Sequence, residues 1–410
     1  MTQNDPFLAL RHRDYRLLIS GRAVGLMGEQ MVGVAVGWEL YERTGSAFAL
    51  GLVGLVQVLP VIVFALPAGA IADQFDRRRV IAIAQSTLAL GSLGLLAISL
   101  LGLPVELYYA ALALTGCARA FNNPATRALI AQTVPPPAYA SAATWSGGLA
   151  QLALILGPSV GGTIVALFQR GAPVFALNLI ATLLFALLVS LIRGKQSTLA
   201  QRGLSVGALL GGLRFISVTR IVLAAITLDL FAVMLGGVVF LLPVYAKEIL
   251  HIGPQLLGWL YAAPAAGAIT MSFLIAFLPP FRWAGWTLVV SVALYGVAMA
   301  AFGLSTSFPL SLAALALGGA MDQVSVVIRS TLVLLWTPDE RRGRVTAVEG
   351  VFINMSNQIG GFRAGTMAAL FGPVTAVVGG GIGAVLMVAV VALLFPELRA
   401  LRRLNGPASQ

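Results

Sequence analysis

The chain has 410 residues, of which 59% are hydrophobic and only 10% charged, with a mean hydropathy of +0.93. Soluble domains are about a quarter charged, so this composition excludes an ordinary globular protein and predicts an integral membrane protein. One cysteine, Cys117, rules out an internal disulfide and a cysteine metal cluster, and two histidines, His12 and His251, leave no basis for a zinc site or histidine-centred catalysis. No cofactor, metal or catalytic residue is expected. Residues 1–13 contain Asp5, Arg11 and Arg13 without a separate apolar core and cleavage site, so no secretory signal is read there.

Hydropathy predicts an all-α membrane protein of about twelve spans. They fall at residues 15–41, 47–72, 80–101, 107–130, 141–168 and 173–192, then at 219–246, 256–278, 285–304, 309–335, 345–371 and 374–395. Gly45-Ser46, Pro104, Pro135-Pro136-Pro137, Gly253-Pro254, Pro279-Pro280 and Pro338 mark breaks between them. With the N-terminus inside, most basic residues fall in inner segments, among them Arg11, Arg77 to Arg79, Arg193, Arg341, Arg342 and Arg399, while the outer loops hold only Arg43, Arg170 and Lys247. That asymmetry predicts cytoplasmic termini. It also explains the net charge of +11 by topology and attraction to anionic lipid, so no nucleic-acid partner is expected.

The first span carries Arg22 and Glu29. Glu29 lies roughly 18 Å beyond the inner edge, at 1.5 Å per residue. An ionised carboxylate at that depth costs at least ~2.5–3.5 kcal/mol, so it must meet protein or water, find a partner, or take up a proton. Arg22 and Glu29 are seven apart and share a helix face. Gln57 in the second span, and Asn122 and Asn123 in the fourth, are polar candidates for lining a cavity. Arg119 in the fourth span lies ~16 Å from the outer edge, within reach of Glu29's depth, and also suits a role as helix-to-helix glue. In the fifth span, Gly157-Pro158 and Gly161-Gly162 let helix backbones approach and bend.

A polar connection, residues 194–218, with a short amphipathic helix near Leu209–Ile216, divides an N-terminal six-helix bundle, residues 1–193, from a C-terminal one with a short cytoplasmic tail, residues 219–410. In the seventh span Asp229 lies ~14 Å deep, comparable to Glu29. Both acids suit proton coupling, because burial favours the neutral carboxyl and a nearby arginine the charged one. A permanent ion pair, or wetting by a cavity, is the plainer alternative. Asp322 and Arg329 in the tenth span repeat the seven-residue spacing with the signs reversed. Arg22 and Arg329 can partner these acids or snorkel to the inner interface. Asn354, Asn357 and Gln358 make a polar stripe on the eleventh span, which Phe231 and Tyr261 could join with Gln57, Asn122 and Asn123 around an amphipathic ligand.

The halves are related in sequence. Gly162-Thr163 and Ala166-Leu167-Phe168 recur as Gly365-Thr366 and Ala369-Leu370-Phe371, a shift of 203 that also superposes Pro135 on Pro338, Gly157 on Gly360 and Arg119 on Asp322. Two homologous six-span halves are a transporter architecture.

The stretch Gly69-Ala70-Ile71-Ala72-Asp73-Gln74-Phe75-Asp76-Arg77-Arg78-Arg79 resembles the major facilitator superfamily signature G-x-x-x-D-(R/K)-x-G-(R/K)-(R/K), departing from it at Gln74 and Asp76. Gly157-Pro158-Ser159-Val160-Gly161-Gly162 resembles that superfamily's antiporter pattern, with Ala153 where the fuller form has glycine. Asp14-Tyr15-Arg16-Leu17-Leu18, Pro338-Asp339-Glu340-Arg341-Arg342-Gly343-Arg344-Val345 and Phe395-Pro396-Glu397-Leu398 are similar to the branch of enterobactin and macrolide exporters. The resemblance implies two pseudo-symmetric six-helix bundles and a proton-release role for Arg119. It also implies a seal of the fifth span on the eighth through Gly157, Pro158, Gly161 and Gly162. Gly69, Asp73 and Arg77 become a cytoplasmic gate, Asp73 facing the inner N-terminus of the eleventh span, where the helix dipole favours an anion; the alternative is a basic loop that only sets topology.

The functional expectation is a monomeric, multi-pass transporter of the bacterial inner membrane, exporting an amphipathic siderophore- or drug-like solute by proton antiport through alternating access. Its partners are then the solute, protons and membrane lipid. A lipid or lysolipid flippase, or a proton-coupled importer of the same fold, is the alternative. An enzyme is not expected, because no nucleophile–base constellation or metal-ligand set is visible, and G-x-x-x-x-G-K-(S/T) is absent, which argues against ATP as the driver.

Overall fold

Apolar runs fold as α-helices between the predicted turns in a computed structural model that describes residues 5–193, 206–279 and 281–402. In chain order they are α1 (Arg13–Thr44), α2 (Ala47–Gln74), α3 (Arg77–Leu101), α4 (Glu106–Thr133), α5 (Tyr139–Phe168), α6 (Ala172–Ser190), α7 (Val206–Val218), α8 (Arg220–Gly236), α9 (Leu242–Val244), α10 (Pro254–Phe277), α11 (Ala284–Leu304), α12 (Phe308–Trp336), α13 (Asp339–Phe371), α14 (Pro373–Leu394) and α15 (Pro396–Ala400). Local chemistry sets several ends. Asp76 caps α3 by accepting from Arg78 N at 2.8 Å, and Gly102, at φ +63°, closes it in the left-handed region.

Nine helices among the described residues are long and apolar enough to cross a membrane. The remaining three long helices, α1, α4 and α13, complete the predicted twelve; they are the ones that carry Glu29 and Glu39, Arg119, and Glu349 and Arg363. Large apolar side chains such as Ile83, Leu90, Leu187, Phe273, Leu386 and Leu393 are exposed, as a protein surrounded by lipid requires.

The chain divides into two units. The first comprises α1, α2 from Val56, α3 to α6, and Pro254–Gly258 of α10; within it α1 packs on α5 and α6, and α3 on α4 and α6. The second comprises Gly45–Leu55, α7 to α9, α10 from Trp259, and α11 to α15; within it α8 packs on α13 and α14, and α11 on α12 and α14. The same four pairings therefore recur in each unit, which is the pseudo-symmetry of the major facilitator fold.

The predicted amphipathic helix is α7, and Ile216 from it is buried in one core with Val222, Leu288, Leu332 and Val388. Residues 194–205 of the predicted connection lie outside the described residues. The seventh span, predicted as continuous from 219 to 246, is broken. After Gly236 the chain leaves the α-helix, passes a 3-10 turn (Val239–Leu241) and α9, and ends in a π turn (Tyr245–Ile249). The carbonyls at the end of α8 are met by Arg363 of α13, whose Nε donates to Met234 at 3.1 Å and whose Nη2 donates to Leu235. In lipid such carbonyls have no water to turn to, so a break persists only with an internal donor.

Candidate functional site

Both units place an acid from their first long helix against an arginine from their fourth. In the first unit, Glu29 Oε2 on α1 lies 3.2 Å from Arg119 Nε on α4. Arg119 Nη1 donates to Gln57 Oε1 of α2 at 3.0 Å, so Gln57, predicted as a cavity residue, is the arginine's second partner. Arg22 is not part of this pair and makes no ion pair among the described residues. Sharing a helix face puts two residues in line, but two turns separate them by about 10 Å along the axis.

In the second unit, Arg329 of α12 is 4% exposed and sits between two carboxylates. Its Nη1 meets Asp229 of α8, and its Nε lies 3.1 Å from Glu349 Oε1 of α13. Ile226, Leu230, Phe352, Ile353 and Ser356 line a narrow cleft around this triad. Snorkelling of Arg329 is overturned, because its guanidinium is buried and engaged on both sides. Asp322, seven residues before it, is half-buried and forms no ion pair among the described residues, so the tenth-span charges do not act as one stripe. Glu349 was not singled out from the sequence. The signal was present, since it lies inside the predicted span 345–371, and any intramembrane acid is a functional candidate.

A further charged cluster, unforeseen from sequence, includes Arg43, predicted as an outer-loop residue. Arg43 ends α1, pairs with Glu39 at 2.6 Å and donates to the carbonyls of Ile98 and Leu103 at the end of α3. Glu39 also accepts from Ser99 Oγ at 2.9 Å and from Gly171 N at 3.2 Å, tying α1, α3 and the start of α6 together.

The remaining candidates separate. Asn122 does not line a cavity; it is buried, accepting from Gln85 Nε2 of α3 at 3.1 Å and from Thr126 Oγ1 at 3.3 Å, because it faces α3. Asn123 is exposed, and Phe231 and Tyr261 are half-buried. Asn354 and Asn357 are exposed and donate back to the carbonyls of Gly350 and Ile353, whereas Gln358 is half-buried with an unpartnered Oε1. Gly69 is buried within α2, Arg77 is buried at the start of α3, and the side chain of Asp73 lies outside the described residues. Arg78 binds Asp76 and the Ile192 carbonyl at 2.7 Å, fastening the loop to the end of α6.

The glycine motif faces two ways. A Cβ at Gly161 would lie 2.8 Å from Met31 Cα, and one at Gly157 would meet Gln30, so these two serve the packing of α5 on α1. A Cβ at Gly162 would lie 3.0 Å from Gly258 Cα, and the Pro158 carbonyl lies against Gly258. Only Pro158 and Gly162 therefore approach the eighth span, correcting the expectation for the whole motif. Residues 157 and 161 form one helical row, and 158 and 162 the next, about 100° round the axis. Among the described residues, no three His, Cys, Asp or Glu side chains come together as a metal site.

Twelve long helices among the described residues, in two units of repeated pairing with acids and arginines matched inside them, define a multi-pass membrane transporter of the major facilitator fold. Residues 4–409 match the family described as transmembrane secretion effector, and the chain belongs to that family. It is 26% identical over 413 residues to the enterobactin exporter EntS of Citrobacter koseri, covering 96% of this chain and 94% of that protein, and equally identical over 409 residues to EntS of Shigella flexneri. A bacterial homolog of the human lysosomal transporter Spinster, inward-facing and occupied, has the same fold with a TM-score of 0.74 at 14% identity, covering 96% of this chain and 98% of that one. A D-xylose–proton symporter follows at 0.71 and 15%, with 94% and 99% covered.

Proposed function

We propose that this transporter exports an amphipathic organic solute of the siderophore or drug type in exchange for protons, working as a monomer in a bacterial inner membrane with both termini cytoplasmic. The observation that carries the export reading is the likeness, over 96% of the chain, to enterobactin exporters. The coupling reading draws on the intramembrane acids. Glu29 beside Arg119, and the acids Asp229 and Glu349 that share Arg329, can each set an arginine against a proton as the surroundings change, and Asp322 is a further acid at membrane depth. Residues 1–193 and 219–410 act as the two moving halves, joined by 194–218. Asp73 and Arg77 serve as the inner gate, Pro158 and Gly162 as a seal, and the exposed amides of Asn354 and Asn357, with Gln358, Phe231 and Tyr261, as solute contacts.

A thermal-shift screen of the detergent-solubilised protein tests the substrate class, since a true ligand raises apparent stability by mass action. Enterobactin or erythromycin is expected to raise the melting temperature in a saturable way. A shift produced by lysophosphatidylcholine alone overturns the export reading in favour of a flippase.

A further inference from the structure

We infer that Glu349 is the proton-carrying residue of the second half, and that Arg329 and Asp229 form the neutral pair against which it loads and unloads. This rests on the antiport reading and adds to it a residue outside every motif described above.

The first argument is a charge count. Glu29 and Arg119 carry one charge of each sign, and the third partner, Gln57, is a neutral amide. The Asp229–Arg329–Glu349 cluster has two carboxylates around one guanidinium, an excess of one negative charge. The side chains concerned are 8% exposed for Asp229, 5% for Arg329 and 12% for Glu349. An uncompensated carboxylate at that burial inside a membrane is costly, and a proton is the simplest way to discharge it.

The second argument is that no other cation among the described residues supplies the compensation. On α8, Arg220 is exposed and committed to Glu397 of α15 at 2.8 Å. Arg214 of α7 is exposed. On α13, Arg341, Arg342 and Arg344 are exposed, Arg341 over the Phe215 ring, Arg342 donating to the Leu334 carbonyl and Arg344 beside α7, and Arg363 is spent on the carbonyls at the end of α8. The helices α11 and α12 add only Tyr295 and the acid Asp322, and α14 has no titratable side chain.

The third argument selects Glu349 over Asp229. Both acids line the cleft and each has one contact with Arg329, but Glu349 is the more exposed of the two and meets only Nε, at 3.1 Å, leaving Nη1 to Asp229. When a carboxylate oxygen of Glu349 takes a proton from water, the Arg329–Asp229 pair stays intact and the cluster reaches the neutrality that Glu29 and Arg119 already have. Losing that proton to water on the other side restores the excess charge.

Infrared difference spectra of the purified full chain in detergent, between alkaline and acid buffer in H2O and D2O, test this without a transported ligand. The wild type is expected to show a deuterium-sensitive protonated-carboxyl band that Glu349→Gln abolishes. Glu349→Asp should move the band and Asp229→Glu should leave it in place. A wild type without the band, its survival in a monodisperse Glu349→Gln protein, or a band moved by Asp229→Glu and not by Glu349→Asp overturns the assignment. If Glu349→Gln does not fold, Glu349→Asp decides by whether the band moves. Ethidium exchange against protons in proteoliposomes separates the two readings. Intact, pH-driven exchange by Glu349→Gln removes Glu349 from the mechanism and leaves antiport standing. A band that behaves as stated in a wild type that moves no protons against solute leaves the site standing and removes antiport.

Discussion

Replacing Arg329 by leucine leaves Asp229 and Glu349 facing each other with no counter-charge. Both side chains are about nine-tenths buried, so water screens little of the consequence. Removing one member of a buried ionic cluster costs about 3–5 kcal/mol, mostly because of the charge left behind. For a folding unit of this size each kcal/mol shifts the midpoint by about 2–4 °C, so the apparent melting temperature in detergent should fall by about 6–20 °C at neutral pH. The drop should shrink as the pH is lowered, because protons discharge the stranded carboxylates. Scanning fluorimetry at one heating rate, with Arg220→Leu as a control for an exposed pair, reads this directly. The triple change Asp229→Asn, Arg329→Leu, Glu349→Gln should recover most of the loss, since it removes the charges together. The reasoning is refuted if Arg329→Leu melts with the control, or if the triple variant is as unstable as the single one.

Other substitutions test other parts of the structure. Gly258→Leu should cost more than about 3 kcal/mol or abolish expression, because Pro158 and Gly162 leave no room, while Gly350→Ala, with open space around it, should be neutral or slightly stabilising in the same melting assay. Glu39→Ala should cost about 2–4 kcal/mol by stranding Arg43 and the Gly171 amide, whereas Glu42→Ala, its exposed neighbour, should cost under about 0.5 kcal/mol. The hydrogen bond from Arg220 holds the Glu397 carboxyl below its ordinary range. A lowered carboxylate stabilises the fold above its ordinary range and loses that contribution as the pH falls through the lowered value, so any small deficit of Glu397→Gln should be present at neutral pH and vanish in acid. Arg363→Met should open amide exchange at Gly236 to Val238, measured by mass spectrometry, because the carbonyls of Met234 and Leu235 lose their donor.

The fold was readable because a bilayer imposes length and polarity on every span. The run from 15 to 41 and the turn prolines point to the helix number without any knowledge of contacts. The repeat at a shift of 203 points to two related halves, though not to the exchange by which Gly45–Leu55 joins the second unit and Pro254–Gly258 the first. The acids Glu29 and Asp229 were also readable, since charge at mid-membrane is rare. Their partners were harder to read. Helical periodicity places residues on a face of their own helix, which is why Arg22 was matched with Glu29 and Asp322 with Arg329. Arg119 and Glu349 are brought in by neighbouring helices, and only packing decides that. The Glu39–Arg43 cluster was missed for a similar reason, because Arg43 reads as a loop cation until the carbonyls of Ile98 and Leu103 are seen around it. The break after Gly236 was hidden by an unbroken apolar run, and hydropathy is blind to a glycine pair that ends the helix where Arg363 meets the carbonyls of Met234 and Leu235.

Coupled flux in proteoliposomes is the most direct measurement of proton-driven export. Vesicles with an acidic lumen are given external enterobactin, while a dye follows luminal pH. The expected result is enterobactin accumulation with protons leaving as it enters, stopped by a protonophore and lost in the Glu29→Gln, Glu349→Gln double variant. Accumulation indifferent to the gradient, or solute and protons moving in the same direction, contradicts antiport.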